Sequence, residues 1–442
     1  MRLLKRFLSP AAILAFCCSG AIGADRLYQP SVFAAPEPDV AACSYLTSDC
    51  CEPAACEPAC GGCNSCSSCS LCFPLFPCRC KGEAWTLQSL LTGDPGCCNI
   101  TYGGWVSAGA YANAYGAPNN GVIGMRDVGN EFTVNQVWGY MEKATHTGGC
   151  GWDWGFRADM LFGTDGQDTQ AFGSWTALSP NAWDNAWDTS ADYGSALPQL
   201  YAEVAVNDLK VKMGHFYTIL GYEVVPATGN FFTSHSYSMY FGEPFTHTGV
   251  LAEYALFENL TVWGGWVQGW DTAFDNPRGS NDFLGGIRAP LLDAATLTWA
   301  LDFGHDDLTG DDRFLQSIVV DVDVTQRLNY VLQSDWGQVK NVGSSEWYSV
   351  NNYLFYTIND CWKLGTRLEW FRDADGIRVP PAAGVPGEYW ELTCGVNWQP
   401  LANVMFRPEL RYDWSNGVGV APFDGGAEDD QFSGGFDLIV TF

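Results

Sequence analysis

From about residue 103 to the last residue, apolar and polar side chains alternate along the chain with a period of two. In "CWKLGTRLEWF", Trp362, Leu364, Thr366, Leu368 and Trp370 fall on one face, with Lys363, Arg367 and Glu369 on the other. In "NVMFRPELRYDW", Val404, Phe406, Pro408, Leu410, Tyr412 and Trp414 oppose Arg407, Glu409, Arg411 and Asp413. "GWDWGFRADMLFG" sets its aromatics against Asp153, Arg157 and Asp159, and "RLNYVLQSDW" sets Leu328, Tyr330 and Leu332 against Arg327, Asn329, Gln333 and Asp335. Successive side chains of a strand point to opposite sides, so each segment predicts a strand with one apolar and one polar face. Runs of about ten such residues with aromatics towards the ends are the pattern of a membrane-spanning strand.

A soluble sandwich also alternates, so the connections decide. Short polar turns at 207–208, 258–259, 293–294, 325–326 and 359–360 take turns with long connections near 116–133, 164–197, 217–245, 270–282, 305–313, 337–345, 372–387 and 415–432. Short on one side and long on the other is the signature of an outer-membrane barrel. The pattern predicts an all-β fold, an antiparallel transmembrane β-barrel of about 16 strands. Breaks in the alternation near Val134 and Glu346 leave a range of about 14 to 18. The first and last strands, near Gly103–Tyr115 and Ser433–Phe442, would pair and leave the sheet without edges. The chain closes on "FDLIVTF", in which Phe436, Leu438, Val440 and Phe442 would face lipid.

Composition supports a surface that does not all meet water. Only 16% of the 442 residues are charged, while 14% are aromatic and 49 are glycine. The net charge of -28 excludes a nucleic-acid partner, which needs clustered Lys and Arg. Residues 1–24, with Arg2, Lys5 and Arg6 before an apolar run and small residues, read as a secretory signal. Cys17 and Cys18 close that run, but the bulky Phe16 argues against a lipidation site. No later apolar stretch is long enough for a membrane-spanning helix.

Residues 25–100 form a Cys-rich segment on the periplasmic side, with a short helix predicted near 82–92, followed by the barrel over 101–442. Cys43, Cys50, Cys51, Cys56, Cys60, Cys63, Cys66, Cys69, Cys72, Cys78, Cys80, Cys97 and Cys98 lie in it. After export such a density implies disulfides, within the segment or to neighbouring envelope proteins. An odd set leaves at least one thiol for Cys150, Cys361, Cys394 or another chain, and spacing does not choose among them.

Charges on the inward faces must line water or pair, since a basic side chain facing lipid costs about 2–4 kcal/mol at the midplane. The candidate pore-lining residues are Arg157, Asp159, Lys210, Lys212, Arg327, Asp335, Arg367, Glu369, Arg407, Glu409 and Arg411. They predict a hydrated channel, against which stands a plugged, ion-paired lumen. The connection at 217–245, rich in Gly and Ser, is the candidate constriction, with Tyr217, Tyr222, Glu223, His235, Tyr237 and Tyr240; an external loop packed on its neighbours is the alternative. Long connections such as "HDDLTGDD" and "DGGAEDD" predict a negative vestibule. Five scattered histidines come without a nucleophile or a metal-ligand spacing, so no catalytic site, metal or cofactor is predicted. The expected surroundings are outer-membrane lipid, with self-association of the barrel left open.

At "YTILGYEVVPATGNFFTSHSYSMYFGEPFTHTGVLAEYAL" the sequence resembles the OmpL-like family of β-barrel porins common in planctomycetes. Gly221–Glu223, Phe231–Ser238 and Pro244–Gly249 carry the likeness, with "NITYGGWVSAGAY" as the opening strand. The resemblance implies a porin from about residue 85 onward and a C-terminal aromatic strand read by the barrel-insertion machinery. It also implies an envelope rich in crosslinked protein, to which the cysteines could tether.

Overall fold

The computed structural model describes residues 76, 78, 81–91, 99–173, 183–185, 188–190, 192–257, 259–276, 278–306, 310–341, 343–380, 385–417 and 421–442. The predicted signal at 1–24 lies outside them, as do Cys43, Cys50, Cys51, Cys56, Cys60, Cys63, Cys66, Cys69, Cys72, Cys80, Cys97 and Cys98.

After a short helix α1 (Leu87–Leu91), the strands are β1 (Thr101–Asn113), β2 (Glu131–Lys143), β3 (Trp152–Gly163), β4 (Gly194–Val206), β5 (Leu209–Tyr217), β6 (Thr246–Phe257), β7 (Leu260–Val267) and β8 (Asn281–Leu292). They continue as β9 (Ala295–Asp306), β10 (Asp311–Asp323), β11 (Leu328–Asn341), β12 (Gly343–Asn359), β13 (Trp362–Asp373), β14 (Gly387–Leu401), β15 (Val404–Asn416) and β16 (Asp430–Thr441). A second short helix, α2 (Thr164–Thr169), follows β3. Each strand pairs antiparallel with its chain neighbours, and β1 pairs with β16 to close a 16-stranded barrel. The last residue completes the seam: Gly104 and Phe442 exchange two backbone hydrogen bonds at 2.9 Å. Gly104 is required there, because a Cβ would come within 2.9 Å of the Phe442 ring.

Side-chain direction follows the predicted parity. Outward positions carry apolar groups that water would not tolerate as a continuous band: Trp152 is 73% exposed and Phe257 73%. Aromatics gather at both ends of the strands, with Trp152, Trp154, Tyr254, Phe257 and Tyr356 near the short turns and Phe132, Trp266, Phe303 and Phe432 near the long connections. These are the two girdles of a membrane barrel, with hydrocarbon between them. Phe436 and Leu438 face out in the same band.

The structure also accounts for the two places where alternation breaks. Asn135 is an extra residue in β2, where Ser107 pairs with Gln136 and Ala108 with Val134, so the bulge shifts parity. In β12 the inward face mixes aromatics (Trp347, Tyr353, Phe355) with Ser349 and Asn351, while Asn352 sits on the outward face, so neither face reads as purely polar or apolar. Two predicted long connections are corrected. The stretches 305–313 and 337–345 are mostly strand, because pairing runs out to Asp306–Asp311 and Asn341–Gly343. These strand ends lie nearest the long-connection rim, where no lipid selects an apolar outer face and the alternation fades.

Candidate functional site

The connection 218–245 joins β5 to β6, yet its partners lie on the far wall. Gly221 N–H donates to Ser317 of β10 at 3.2 Å and Tyr222 N–H to Gln333 of β11 at 3.0 Å. Thr233 N–H donates to Glu409 of β15 at 2.7 Å, and Tyr237 N–H to Glu369 of β13 at 2.6 Å. In the ring of strands β13 lies half-way round from β5. A segment anchored at one wall and bonded to the opposite one has to cross the lumen. Of the described residues 218–245, none is exposed.

Buried arginines on the wall hold the crossing in place. Arg367, fully buried, donates to Glu223 at 2.6 Å and to the Ser234 carbonyl at 2.9 Å, and its Nε pairs with Glu391. Arg407 donates to the carbonyls of Ala227 (2.8 Å) and Asn230 (2.6 Å) while paired with Asp437. Arg411 donates to the His235 carbonyl at 2.6 Å, pairs with Asp413 and lies against the Tyr237 ring. A guanidinium suits this task because its planar fork of donors can serve a carboxylate and a carbonyl together. Burial works against ionisation of Glu223, but Arg367 first, then His235 and the Ser236 N–H, outweigh it and hold its pKa below the usual carboxylate range.

The candidate residues therefore divide into three groups. Arg367, Glu369, Arg407, Glu409, Arg411 and Asp335 point inward as expected, but the crossing segment covers them, so they are buried where the sequence predicted contact with water. Arg157, Lys210 and Lys212 line a cavity of about 940 Å³ on the β3–β8 side. Asp159 is buried behind Arg157, which pairs with it at 2.7 Å and with Glu142 at 2.9 Å. Arg327 is a correction: it sits exposed in the turn before β11, because β10 ends at Asp323 and the chain leaves the sheet for four residues. Among the constriction candidates, Glu223, His235 and Tyr237 gather at Arg367 and Arg411, with the Tyr222 ring tilted against Tyr353 at 4.7 Å. Tyr217 lines the cavity.

Tyr240 points the other way, towards the long-connection rim, where its hydroxyl donates to Asp168 of α2 at 2.6 Å. Burial pushes the Asp168 carboxyl up to about 7; Asp127 and Asp165 add to the rise, and Tyr240 and Arg126 oppose it. Its usual value is 3.8, so folding takes up a proton between that value and about 7. The contribution to stability is full below this window, falls as pH rises through it and is flat above. The unfolding midpoint in detergent should therefore drop between about pH 4 and about pH 7, and Asp168→Asn should lose most of that slope.

Several members of the site carry little signal in the sequence. Glu391 and Asp413 obey the inward parity of their strands and could have been read from it. Arg126, which donates to Thr233 at 3.0 Å and pairs with Asp165 at 2.7 Å, comes from the β1–β2 connection, where no periodicity marks it. At the short-turn rim residues 81–86 run along the cavity mouth. Lys81 Nζ bonds Gln399 at 2.7 Å, and Asn403 bonds the backbone of Trp85. A disulfide joins Cys78 to Cys361 in the β12–β13 turn, a pairing the sequence leaves open, while Cys150 and Cys394 have no disulfide partner among the described residues. Among the described residues no group of His, Cys, Asp and Glu could hold a metal ion.

A family model described as "Putative beta-barrel porin-2, OmpL-like" matches residues 99–442. The chain belongs to this porin family. It is an outer-membrane channel barrel, a transport protein and not an enzyme. Solved structures share the fold at low identity. The anion-selective porin of Comamonas acidovorans has a TM-score of 0.55 at 10% identity, covering 78% of this chain and 99% of that one. OprB of Pseudomonas putida has a TM-score of 0.52 at 11% identity, covering 78% and 94%. The channel DcaP of Acinetobacter baumannii has a TM-score of 0.51 at 12% identity, covering 78% and 97%. A search of curated proteins finds no match to the sequence.

Proposed function

We propose that the barrel passes small hydrophilic solutes and ions by passive diffusion, with residues 218–245 setting the narrowest part of the path. The observation that carries this is the cavity of about 940 Å³ between the crossing segment and the β3–β8 wall. It reaches the short-turn rim at Lys81, Asn403 and Phe442, and its sides carry Arg157, Lys210, Lys212, Glu142, Glu203 and Glu253. Such a surface is stable in contact with water and unstable beside lipid. The full chain added to a planar bilayer should give stable ion steps.

A second reading, a closed barrel that anchors the envelope, draws support from two features. The crossing segment buries the β10–β16 side of the lumen, and the Cys78–Cys361 disulfide ties the Cys-rich segment to the short-turn rim, from which other envelope proteins could be crosslinked. Silent insertion into the bilayer would favour this reading and reject the first.

A further inference from the structure

The lysines of the cavity are placed unlike the other charges of the lumen. Lys210 and Lys212 lie two residues apart on one face of β5, about 7 Å apart along the strand. Each has a glutamate opposite it in register: Glu253 across from Lys210 and Glu203 across from Lys212. Facing opposite charges on paired strands normally engage each other. Here the carboxylates are turned to other donors, Glu203 to the Thr145 hydroxyl and Glu253 to the Trp263 indole N–H at 2.8 Å. Among the described residues, neither lysine comes within ion-pair distance of a carboxylate. The Lys212 ammonium rests over the Tyr201 ring at 4.5 Å and lies 5.7 Å from the centre of the Phe216 ring. Elsewhere in the lumen Arg367, Arg407 and Arg411 each have a carboxylate within hydrogen-bond reach.

A half-buried ammonium whose facing carboxylate is turned to another donor lacks a direct charge-assisted hydrogen bond, which an anion in contact would supply. Tyr217 borders the same cavity, and its hydroxyl is buried without a hydrogen-bond partner. The rings of Tyr201 and Trp263 supply an apolar flank beside these polar atoms. Two neighbouring ammonium groups, aromatic walls and a volume of about 940 Å³ are features of a small-molecule site.

We propose that the β4–β7 wall of the cavity binds a small oxyanion, its carboxylate or phosphate group held between Lys210 and Lys212. The net charge of -28 would suggest exclusion of anions, so the site depends on local placement and not on the overall field. The proposal rests on the cavity being open to water, as the channel reading holds, and the test separates the two.

Titration calorimetry of the full chain in detergent at low salt is the first arm, with succinate, inorganic phosphate and glucose as probes. Succinate or phosphate should bind and glucose should not; whichever anion binds more tightly identifies the source of the oxyanion. The double variant Lys210→Gln, Lys212→Gln should weaken that binding by about tenfold or more, a tenfold change being about 1.4 kcal/mol. Lys340→Gln, at the exposed end of β11, should leave it unchanged. Bilayer recording is the second arm: the anion should reduce the current at lower concentration from the short-turn side. Equal affinity in wild type and double variant, or no binding of either anion by a conducting channel, overturns the site. Binding to a barrel that does not conduct keeps the site and removes the channel.

Discussion

Replacing Arg367 with methionine should destabilise the folded barrel by about 3–5 kcal/mol, the cost of breaking a buried ion pair from one side. The side chain is fully buried and serves two carboxylates, Glu223 of the crossing segment and Glu391 of β14. Without it both acids remain in a site with little water and must take up protons or recruit other partners. The Ser234 carbonyl loses a donor as well. The strand pairing of β13 does not depend on this side chain, so the loss should appear in the hold on residues 218–245 before the wall fails. Urea unfolding in detergent measures the total, and protease cleavage within 218–245 reports release of the segment. Adding Glu223→Gln and Glu391→Gln should recover part of the loss, because the uncompensated charges go with the arginine. A change below about 1 kcal/mol in the single variant would mean that the pairs contribute no more than exposed ones do.

Excising residues 224–235 and joining the ends through a short glycine linker should raise single-channel conductance severalfold. The excursion has a natural neck, since the Ser236 N–H donates to the Glu223 carboxylate at 2.9 Å, which puts the two ends within a side chain's reach. What leaves is the part that bonds Arg407 and the acceptor carbonyls opposite Arg367 and Arg411. Arg367 and Arg407 would then face water beside Glu409, while Glu369 keeps its bonds to Tyr237 and Ser238, and the lumen would widen from the β3–β8 cavity towards β15. The backbone bonds of the 16 strands remain, so the variant should still migrate as a folded barrel on unheated gels. Unchanged conductance in such a barrel would show that the narrowest point lies elsewhere.

Much of the wall was legible because lipid imposes a strict rule. An outward position that meets hydrocarbon has to be apolar and an inward one need not be, so Trp152, Leu368, Phe406 and Leu438 could be assigned a side from spacing alone. The rule weakened where lipid did not act. It missed the bulge at Asn135, the mixed aromatic and polar inner face of β12 and the strand ends beyond the girdle near Asn341. The role of the inward charges was harder still. Arg157 and Arg367 have the same alternation around them, yet one lines a cavity and the other is sealed under a segment that arrives from the opposite wall.

The sequence by itself determined a membrane barrel, the faces of its strands, the side on which its short turns lie and the connection most suited to enter the lumen. These follow from local spacing, because the period of a strand and the solvent on each face act residue by residue. Only the tertiary structure decided which charges meet water. That outcome turns on the path of residues 218–245 across the barrel, and on contacts such as Glu223–Arg367 between groups 144 positions apart, whose burial no local pattern records.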